Sequence, residues 1–389
     1  MKNYIYLLFA VLLLGAALTP DAEAIPAFAR KYSMSCTTCH QPYPRLKAYG
    51  EEFAGNGFVL KDQDAPRYYV QTGDDNLSLI RDLPLAVRLE GWVRHETASG
   101  NEVDLSTPYN LKLLSGGAIA KNLAYYFYFY ISERGEVAGV EDAFLMFNDL
   151  FGENLDLYIG QFQVSDPLFK RELRLTYEDY EVYGAAPGES DINLKYDRGI
   201  MLTYGAPTGT DFVVEVVNGN GLVAAEGSSR VYDDDKYKNL MGRVSQQLNE
   251  FLRIGGFGYY GKEADEADVR NEVWMAGADA SVEHGPFALN LQYVERRDDN
   301  PDFLAIQPKD EIATRGGMAE ALWWPNGDQS KWYGVALFNY VESDALPTYT
   351  TVTGHIGYML NTNVRLTIED VFDIENEENT FLLGMVTAF

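Results

Sequence analysis

The six residues Val364-Arg365-Leu366-Thr367-Ile368-Glu369 alternate strictly between an apolar and a polar or charged side chain. Successive side chains of a β-strand point to opposite faces, so this stretch predicts a strand with one apolar and one charged face. The alternation recurs from about Leu83 onward, and long amphipathic helices are hard to find, which together predict an all-β fold. Further examples are Val87, Leu89 and Val93 against Arg88, Glu90 and Arg94; Leu155, Leu157 and Ile159 against Asp156 and Tyr158; and Leu289, Leu291 and Tyr293 against Asn290 and Gln292.

Two all-β architectures fit this pattern. A soluble sandwich would bury the apolar face in its core, whereas a transmembrane barrel would turn it to lipid and keep the charged face in the lumen. The charged face repeats through most strands, which suits a hydrated lumen better than a dry core. Aromatic clusters at Leu123–Tyr130 and Trp323–Pro325 are typical of the girdles at membrane interfaces. The final Phe389, with Phe381, Leu383 and Met385 in the same parity, resembles the C-terminal signature of bacterial outer-membrane proteins.

The length of the β region predicts the size of the barrel. About 305 residues follow Leu83, and at roughly 10 residues a strand plus turns they form about 16 antiparallel strands, with 14 or 18 as alternatives. An even number of strands puts both chain termini in the periplasm. The acidic turn Glu375 to Glu378 then lies on the cell exterior.

Composition excludes one class of partner. The chain has 389 residues with 27 tyrosines, 20 phenylalanines and a formal net charge of −27. This charge would be repelled by phosphate backbones and therefore excludes nucleic acid binding. Acidic runs fall in predicted turns, where they are either solvated loops or a field that attracts Fe(II). The segment Asp166 to Glu172, with its mixed charge, is a candidate constriction.

The N-terminus has the pattern of a secretion signal, assigned to residues 1–24. Lys2 supplies a positive charge, Tyr4 to Leu18 an apolar core, and Ala22-Glu23-Ala24 a cleavage site. The mature chain is predicted to begin at Ile25. An uncleaved membrane anchor is the alternative, although the apolar run is short for a bilayer span.

The pentapeptide Cys36-Thr37-Thr38-Cys39-His40 is a CxxCH motif that contains the only two cysteines of the chain. Two thioethers attach a haem at this spacing, and the following histidine ligates its iron. The motif therefore predicts one covalent haem c bound to Cys36 and Cys39, with His40 as the proximal ligand. A redox CxxC pair is the main alternative, and a zinc site would have to recruit distant ligands.

A short helix is predicted to follow the motif. It begins near Pro44 and ends near Gly55, because proline favours the first turn of a helix and glycine its end. Arg45 and Lys47 are candidates to pair with the haem propionates, or else lie on a solvated face. The apolar face of this helix packs on the haem, on the barrel interior or on both, and it comprises Leu46, Tyr49 and Phe53.

The N-terminal segment resembles a known family, the outer-membrane porin–cytochrome c fusions. The resemblance is close over about Ile25 to Leu60 and is only architectural over the barrel. It implies a monohaem segment joined to a barrel of about 16 strands, and iron(II) oxidation as the activity. The matching residues are Ile25-Pro26-Ala27-Phe28-Ala29-Arg30, Cys36-Thr37-Thr38-Cys39-His40, Pro44-Arg45-Leu46, Gly50-Glu51-Glu52-Phe53 and Gly57.

The sixth ligand of the haem iron is not fixed by any motif. His355 and Met359 share a parity that predicts a lumenal position, so each is a candidate, with a structural role in the lumen wall as the alternative. Met34 is expected to lie too close to the attachment site to turn back.

The predicted organisation is a signal peptide (1–24), a monohaem segment (25–62), a linker (63–82) and an outer-membrane barrel (83–389). The leading hypothesis is an electron conduit that oxidises extracellular Fe(II), in which the haem segment plugs the lumen. As an enzyme it would be an oxidoreductase of the iron(II):cytochrome c type. Its expected partners are outer-membrane lipid, Fe(II) and a periplasmic cytochrome or cupredoxin. Outward electron transfer, a porin for small solutes with a plugging or sensing haem, and a haem-dependent enzyme such as a peroxidase are the alternatives.

Overall fold

The computed structural model of the chain describes residues 27–60, 69–70, 72–74, 76–97, 103–225, 230–233 and 235–389. The predicted secretion signal, the start at Ile25 and residues 63–68, 71 and 75 of the predicted linker lie outside these residues. Within the described ranges, the helices are all too short or too polar to cross a membrane. Two α-helices occur in these ranges, α1 (Ala27–Tyr32) and α2 (Ala48–Gly55).

Sixteen antiparallel strands form a closed barrel, as the sequence predicted. Each strand pairs with its neighbours in the chain, and the last strand pairs with the first strand of the barrel, so no edge is left open. A two-stranded pair, β1 (Tyr69–Val70) and β2 (Leu79–Ile80), precedes the barrel. The barrel strands are β3 (Leu85–Glu96), β4 (Val103–Ala120), β5 (Leu123–Glu133), β6 (Gly139–Phe147), β7 (Leu155–Gln163), β8 (Tyr196–Gly205), β9 (Thr210–Val217), β10 (Asn239–Gln247), β11 (Leu252–Ala264), β12 (Arg270–His284), β13 (Phe287–Asp298), β14 (Ile312–Trp323), β15 (Trp332–Ser343), β16 (Tyr349–Asn361), β17 (Val364–Asp373) and β18 (Glu378–Ala388).

The burial of the alternating side chains shows that these strands form a membrane barrel. In β17, Arg365, Thr367 and Glu369 are almost completely buried inside the barrel, whereas Ile368 is 43% exposed on the outside. The other strands of the wall follow the same pattern, with apolar side chains outward and ion pairs among the inward side chains. An apolar outer surface around a polar interior is the arrangement of outer-membrane barrels, and it excludes the soluble sandwich.

The aromatic clusters serve two roles, whereas the sequence predicted only girdles at the membrane interfaces. Trp323 and Trp332 are exposed on the outer surface near the end that carries the termini, as a girdle requires. In contrast, Trp324, Tyr128 and Tyr130 are buried in the lumen. Strand parity explains the difference, because adjacent residues of an aromatic run must face opposite sides of the wall.

The two ends of the barrel differ. The connections at the end that carries both termini are mostly short, for example residues 121–122 and 362–363. The opposite end carries the longest connection, residues 164–195. The predicted acidic runs, Asp233–Asp235, Glu263–Asp268, Asp298–Asp299 and Glu375–Glu378, are all at this opposite end, although Asp234 itself lies outside the described residues.

The outward position of Ile356, which is 56% exposed in the middle of β16, allows a direct test of the barrel assignment. We expect Ile356→Arg to cost about 2–4 kcal/mol of folding free energy, because the guanidinium would enter the bilayer midplane. Urea titration of folding into phospholipid vesicles measures this cost. The matched control is Glu342→Arg, at the outer end of β15, where the cost should be only about 0–1 kcal/mol. Equal costs for the two variants would contradict the assignment.

Candidate cofactor site in the barrel lumen

The N-terminal segment (residues 27–60) folds around the CxxCH motif. Cys36–Thr38 form a single 3-10 turn, and the backbone N–H of His40 donates to the Cys36 carbonyl at 2.9 Å. Helix α2 packs directly on this turn at Gly50. A Cβ atom at Gly50 would lie 2.4 Å from the Cys39 carbonyl oxygen, so only glycine permits this approach.

Aromatic contacts attach this segment to the barrel wall. Phe28 stacks on Phe58 with ring centroids 5.0 Å apart, and Phe53 meets Phe28 edge-on at 5.3 Å. Phe58 in turn stacks on Tyr126 of β5 at 5.4 Å, and Asn148 of the wall donates to the Gly55 carbonyl. The segment therefore lies in the mouth of the barrel at the end that carries the termini.

Ion pairs fix the opposite side of the segment. Arg45, which also lies over the Trp324 ring, pairs with Glu283 at 2.5 Å, and Lys47 pairs with Asp328 at 3.1 Å. Both acidic partners belong to the barrel rim. These two cations, which the sequence offered to haem propionates or to a solvated face, therefore dock the segment to the barrel, and pairing with propionates stays a prediction.

The predicted helix is shorter than expected, because α2 begins at Ala48, after the loop that contains Pro44. The three residues of its predicted apolar face, Leu46, Tyr49 and Phe53, all line a cavity in the lumen. Phe53 is buried, whereas Tyr49 is 45% exposed.

His40 is oriented as an iron ligand would need to be. Its Nδ1 atom lies 2.8 Å from the Pro44 carbonyl oxygen, which fixes this nitrogen as the donor and leaves Nε2 as the free lone pair. Histidine ligands of metals usually carry a hydrogen bond of this kind on the second nitrogen. Burial lowers the pKa of His40, so the imidazole is neutral near pH 7, the form that ligates metals.

Neither cysteine has another role in the described part of the chain. Cys36 and Cys39 are free thiols, and burial raises the pKa of both. A redox-active CxxC pair needs a lowered thiol pKa, so this alternative is disfavoured. Within the described ranges, His, Cys, Asp and Glu side chains form no group of three or more suited to a metal ion, which also disfavours the zinc alternative.

Cys36, Cys39 and His40 line a cavity of about 1210 Å³ in the lumen. Ligand pockets usually measure roughly 300–1000 Å³, so the volume suffices for a group as large as a haem. The cavity wall near the motif includes the apolar side chains Phe53 and Phe58. Two thiols on one turn, a histidine with a free Nε2 and an adjoining cavity fit a covalent haem c.

The connection of residues 164–195, here called the constriction loop, forms the opposite wall of the cavity. It folds into the lumen and includes the segment Asp166 to Glu172 that the sequence suggested as a constriction. Its apolar side chains pack on inward residues of β8 to β15 in one cluster. The loop members of this cluster are Val164, Leu168, Tyr180, Val182, Tyr183, Ile192 and Leu194.

Polar contacts connect the constriction loop to strands on several sides of the barrel. The carboxylate of Glu369 on β17 accepts hydrogen bonds from the backbone N–H groups of Tyr177 and Glu178, at 2.8 and 2.9 Å. Across the lumen, Lys112 of β4 pairs with Glu172. Burial raises the pKa of Glu172, but the charges of Lys112 and Arg174 lower it by more. The loop therefore spans the lumen as a charged and apolar partition.

The structure places the two predicted distal ligands, His355 and Met359, away from this cavity. His355 is buried on the lumen side, as predicted, but Nδ1 lies 2.7 Å from Glu369 and Nε2 lies 3.3 Å from the Tyr333 hydroxyl. Met359 packs against the cluster that contains Trp324. The sixth ligand therefore stays a prediction.

Several cavity residues had not been predicted from the sequence. Met34, set aside as too close to the motif, lines the cavity together with Met146 and Met201. Arg88 and Tyr43 also line it, next to His40. The sequence offered two signals for these residues: Arg88 has inward parity on its strand, and Tyr43 is close to the motif in the chain. Neither signal shows which residues meet in space.

Comparisons with known proteins support the barrel. No protein-family model matches the chain, and no curated protein matches it in sequence. An anion-selective porin from Comamonas acidovorans matches the structure with a TM-score of 0.56 at 12% identity, over 79% of this chain and 99% of that chain. The outer-membrane channel DcaP of Acinetobacter baumannii gives 0.56 at 12% identity, over 79% and 97%.

The outer-membrane protein OmpT of Vibrio cholerae gives a TM-score of 0.55 at 12% identity, over 79% of this chain and 99% of that chain. At these identities the likeness concerns the fold alone and does not bear on a cofactor. The chain therefore has the 16-stranded fold of the porins of the bacterial outer membrane, with an N-terminal segment docked in its lumen.

Proposed function

We propose that this protein conducts electrons across the bacterial outer membrane through one haem c, attached to Cys36 and Cys39 and ligated by His40. The observation that carries the proposal is the arrangement of the motif on the wall of a lumenal cavity, with His40 Nδ1 held by the Pro44 carbonyl. A haem in this position would supply one-electron redox chemistry inside the membrane barrier.

The remaining residues would hold the electron carrier and exclude solutes. The ion pairs of Arg45 and Lys47 fix the segment in the mouth, and Gly50 allows α2 to pack on the motif. The constriction loop separates the cavity from the opposite end. This arrangement would let electrons pass while it restricts the diffusion of ions.

We further propose that extracellular Fe(II) is the electron donor and that a periplasmic cytochrome or cupredoxin is the acceptor. The acidic connections at the end opposite the termini support a cationic donor, because clustered negative charge raises the local concentration of cations. The resemblance of the N-terminal segment to the porin–cytochrome fusions supports the same substrate. Outward transfer to an external acceptor would use the same path in reverse.

A porin for small solutes, with the haem as a plug or sensor, is the second candidate function. The fold itself favours it, since the solved structures that this chain resembles include a porin and an outer-membrane channel. The net charge of −27 would favour cations over anions as solutes. The constriction loop and the docked segment argue against a wide open channel.

Covalent attachment is the first requirement of the proposal. We expect the purified chain to carry one haem per polypeptide, by intact mass and by the spectrum of its alkaline pyridine complex. Cys36→Ser and Cys39→Ser should each leave one thioether at most, and the double variant should lose covalent haem completely. Ser35→Ala, next to the motif, is the control and should keep full occupancy. A wild-type chain that is exported but contains no haem would refute the proposal.

The packing at Gly50 gives a second prediction. Gly50→Ala should destabilise the docked segment by about 1–3 kcal/mol, because its Cβ would overlap the Cys39 carbonyl. Faster cleavage of residues 27–60 by trypsin, in detergent, is the expected measurement. Gly55→Ala in the same helix is the control, since a Cβ there meets no atom within 4 Å. Equal cleavage rates in the two variants would contradict the packing.

The two candidate functions differ in whether Fe(II) reduces the haem and in whether the protein passes ion current through a planar bilayer. For an electron conduit, anaerobic Fe(II) should reduce the haem rapidly in the absorption spectrum, and planar bilayers should show little ion current. For a solute porin, the bilayers should show steady conductance, with a haem that responds to dithionite but not to Fe(II). A haem that is inert to Fe(II), in a protein without conductance, would favour outward transfer.

A further inference from the structure

Two side chains with donor groups, Arg88 and Tyr43, line the cavity beside the CxxCH motif. A haem bears two propionate carboxylates, and burying a carboxylate away from water is costly unless cations and donors pair with it. Arg45 and Lys47, which the sequence suggested as partners, form ion pairs with the barrel rim. Arg88 and Tyr43 are further donors in the same cavity.

Arg88 is the first of these donors. It lies on β3 with its side chain 11% exposed, pairs with Glu90 at 2.5 Å and donates through Nη1 to the Glu172 carbonyl at 3.1 Å. Its Nε–H is buried and finds no acceptor among the described residues. A buried N–H that is left unpaired costs about 1–3 kcal/mol, so this position favours a further acceptor.

Cations and carboxylates lie side by side around Arg88. Arg88, Lys112 and Arg174 line the cavity, and Lys112 pairs with Glu172 there. A guanidinium has five N–H donors, so the ion pair with Glu90 leaves the Arg88 Nε–H for a further carboxylate oxygen.

Tyr43 is the second donor. Its ring lies edge-on to His40 with centroids 5.2 Å apart, so any group bound through the His40 Nε2 atom comes close to it. Tyr43 and Arg88 both line the cavity together with His40, so the phenol and the guanidinium are available to the same bound group.

We infer that Arg88 and Tyr43 together form the binding site for a propionate of the haem. This inference rests on the proposed function, since it requires the haem at Cys36, Cys39 and His40. Arg88 and Tyr43 line the same cavity as the motif and would offer a charged and a neutral donor, and a carboxylate oxygen can accept from both.

The site makes a prediction about the redox equilibrium of the haem. A guanidinium beside the propionate offsets its negative charge, so loss of the guanidinium should stabilise the oxidised, more positive iron. We expect Arg88→Gln to raise the oxidised-to-reduced ratio at a fixed potential about tenfold, which is about 59 mV for one electron. Arg88→Lys should retain most of the original equilibrium. Spectroelectrochemical titration of the full-length protein in detergent measures both.

The matched control is Arg253→Gln, which removes the same charge from the same cavity but from an arginine whose Nε–H, unlike that of Arg88, already donates to Ser245. Arg253→Gln should change the oxidised-to-reduced ratio of the haem less than about threefold. Haem content and heat-dependent gel mobility establish that each variant folds. A shift in Arg88→Gln no larger than that of the control would overturn the inference while leaving the proposed function intact. A wild-type chain without haem would overturn both.

Tyr43→Phe gives an independent measurement if Arg88→Gln does not fold. This variant removes one hydroxyl from the N-terminal segment and leaves the barrel wall unchanged. We expect the propionate bending band in the resonance Raman spectrum to shift, because that carboxylate loses one donor. An unchanged band would contradict the role of Tyr43.

Discussion

The closure of the sheet is the constraint on which the rest of this structure depends. Lipid offers no hydrogen-bond partners, so each strand of the wall must pair on both sides, and the pairing of β18 with β3 completes the ring. Strand alternation then determines which side chains face the interior. If one face of every strand meets lipid, the opposite face, with its arginines and carboxylates, must point inward.

A polar interior needs partners, and two pieces of non-barrel chain supply them. The constriction loop brings backbone N–H groups to Glu369 and a carboxylate to Lys112. The N-terminal segment brings cations to Glu283 and Asp328. The cavity that these two pieces leave between them holds the CxxCH motif. The position of the motif is thus a result of how the lumen charges are satisfied.

The sequence predicted the barrel well because its signal is local and repeats with a period of two. The strand number, the apolar exterior and the polar interior all follow from that period. For the site, the sequence predicts only the residues of a short motif, Cys36, Cys39 and His40. The partners of Arg45 and Lys47 lie more than two hundred residues away and could not be read from nearby sequence.

The location of the motif has a consequence for the maturation of the protein. Cys36 and Cys39 line a cavity bounded by the barrel wall, the N-terminal segment and the constriction loop. A haem attached to the unassembled segment would meet both thiols freely, whereas a haem added later would have to pass the mouth that the segment occupies. Pairing of β18 with β3, the first barrel strand after the segment, would then enclose the cofactor.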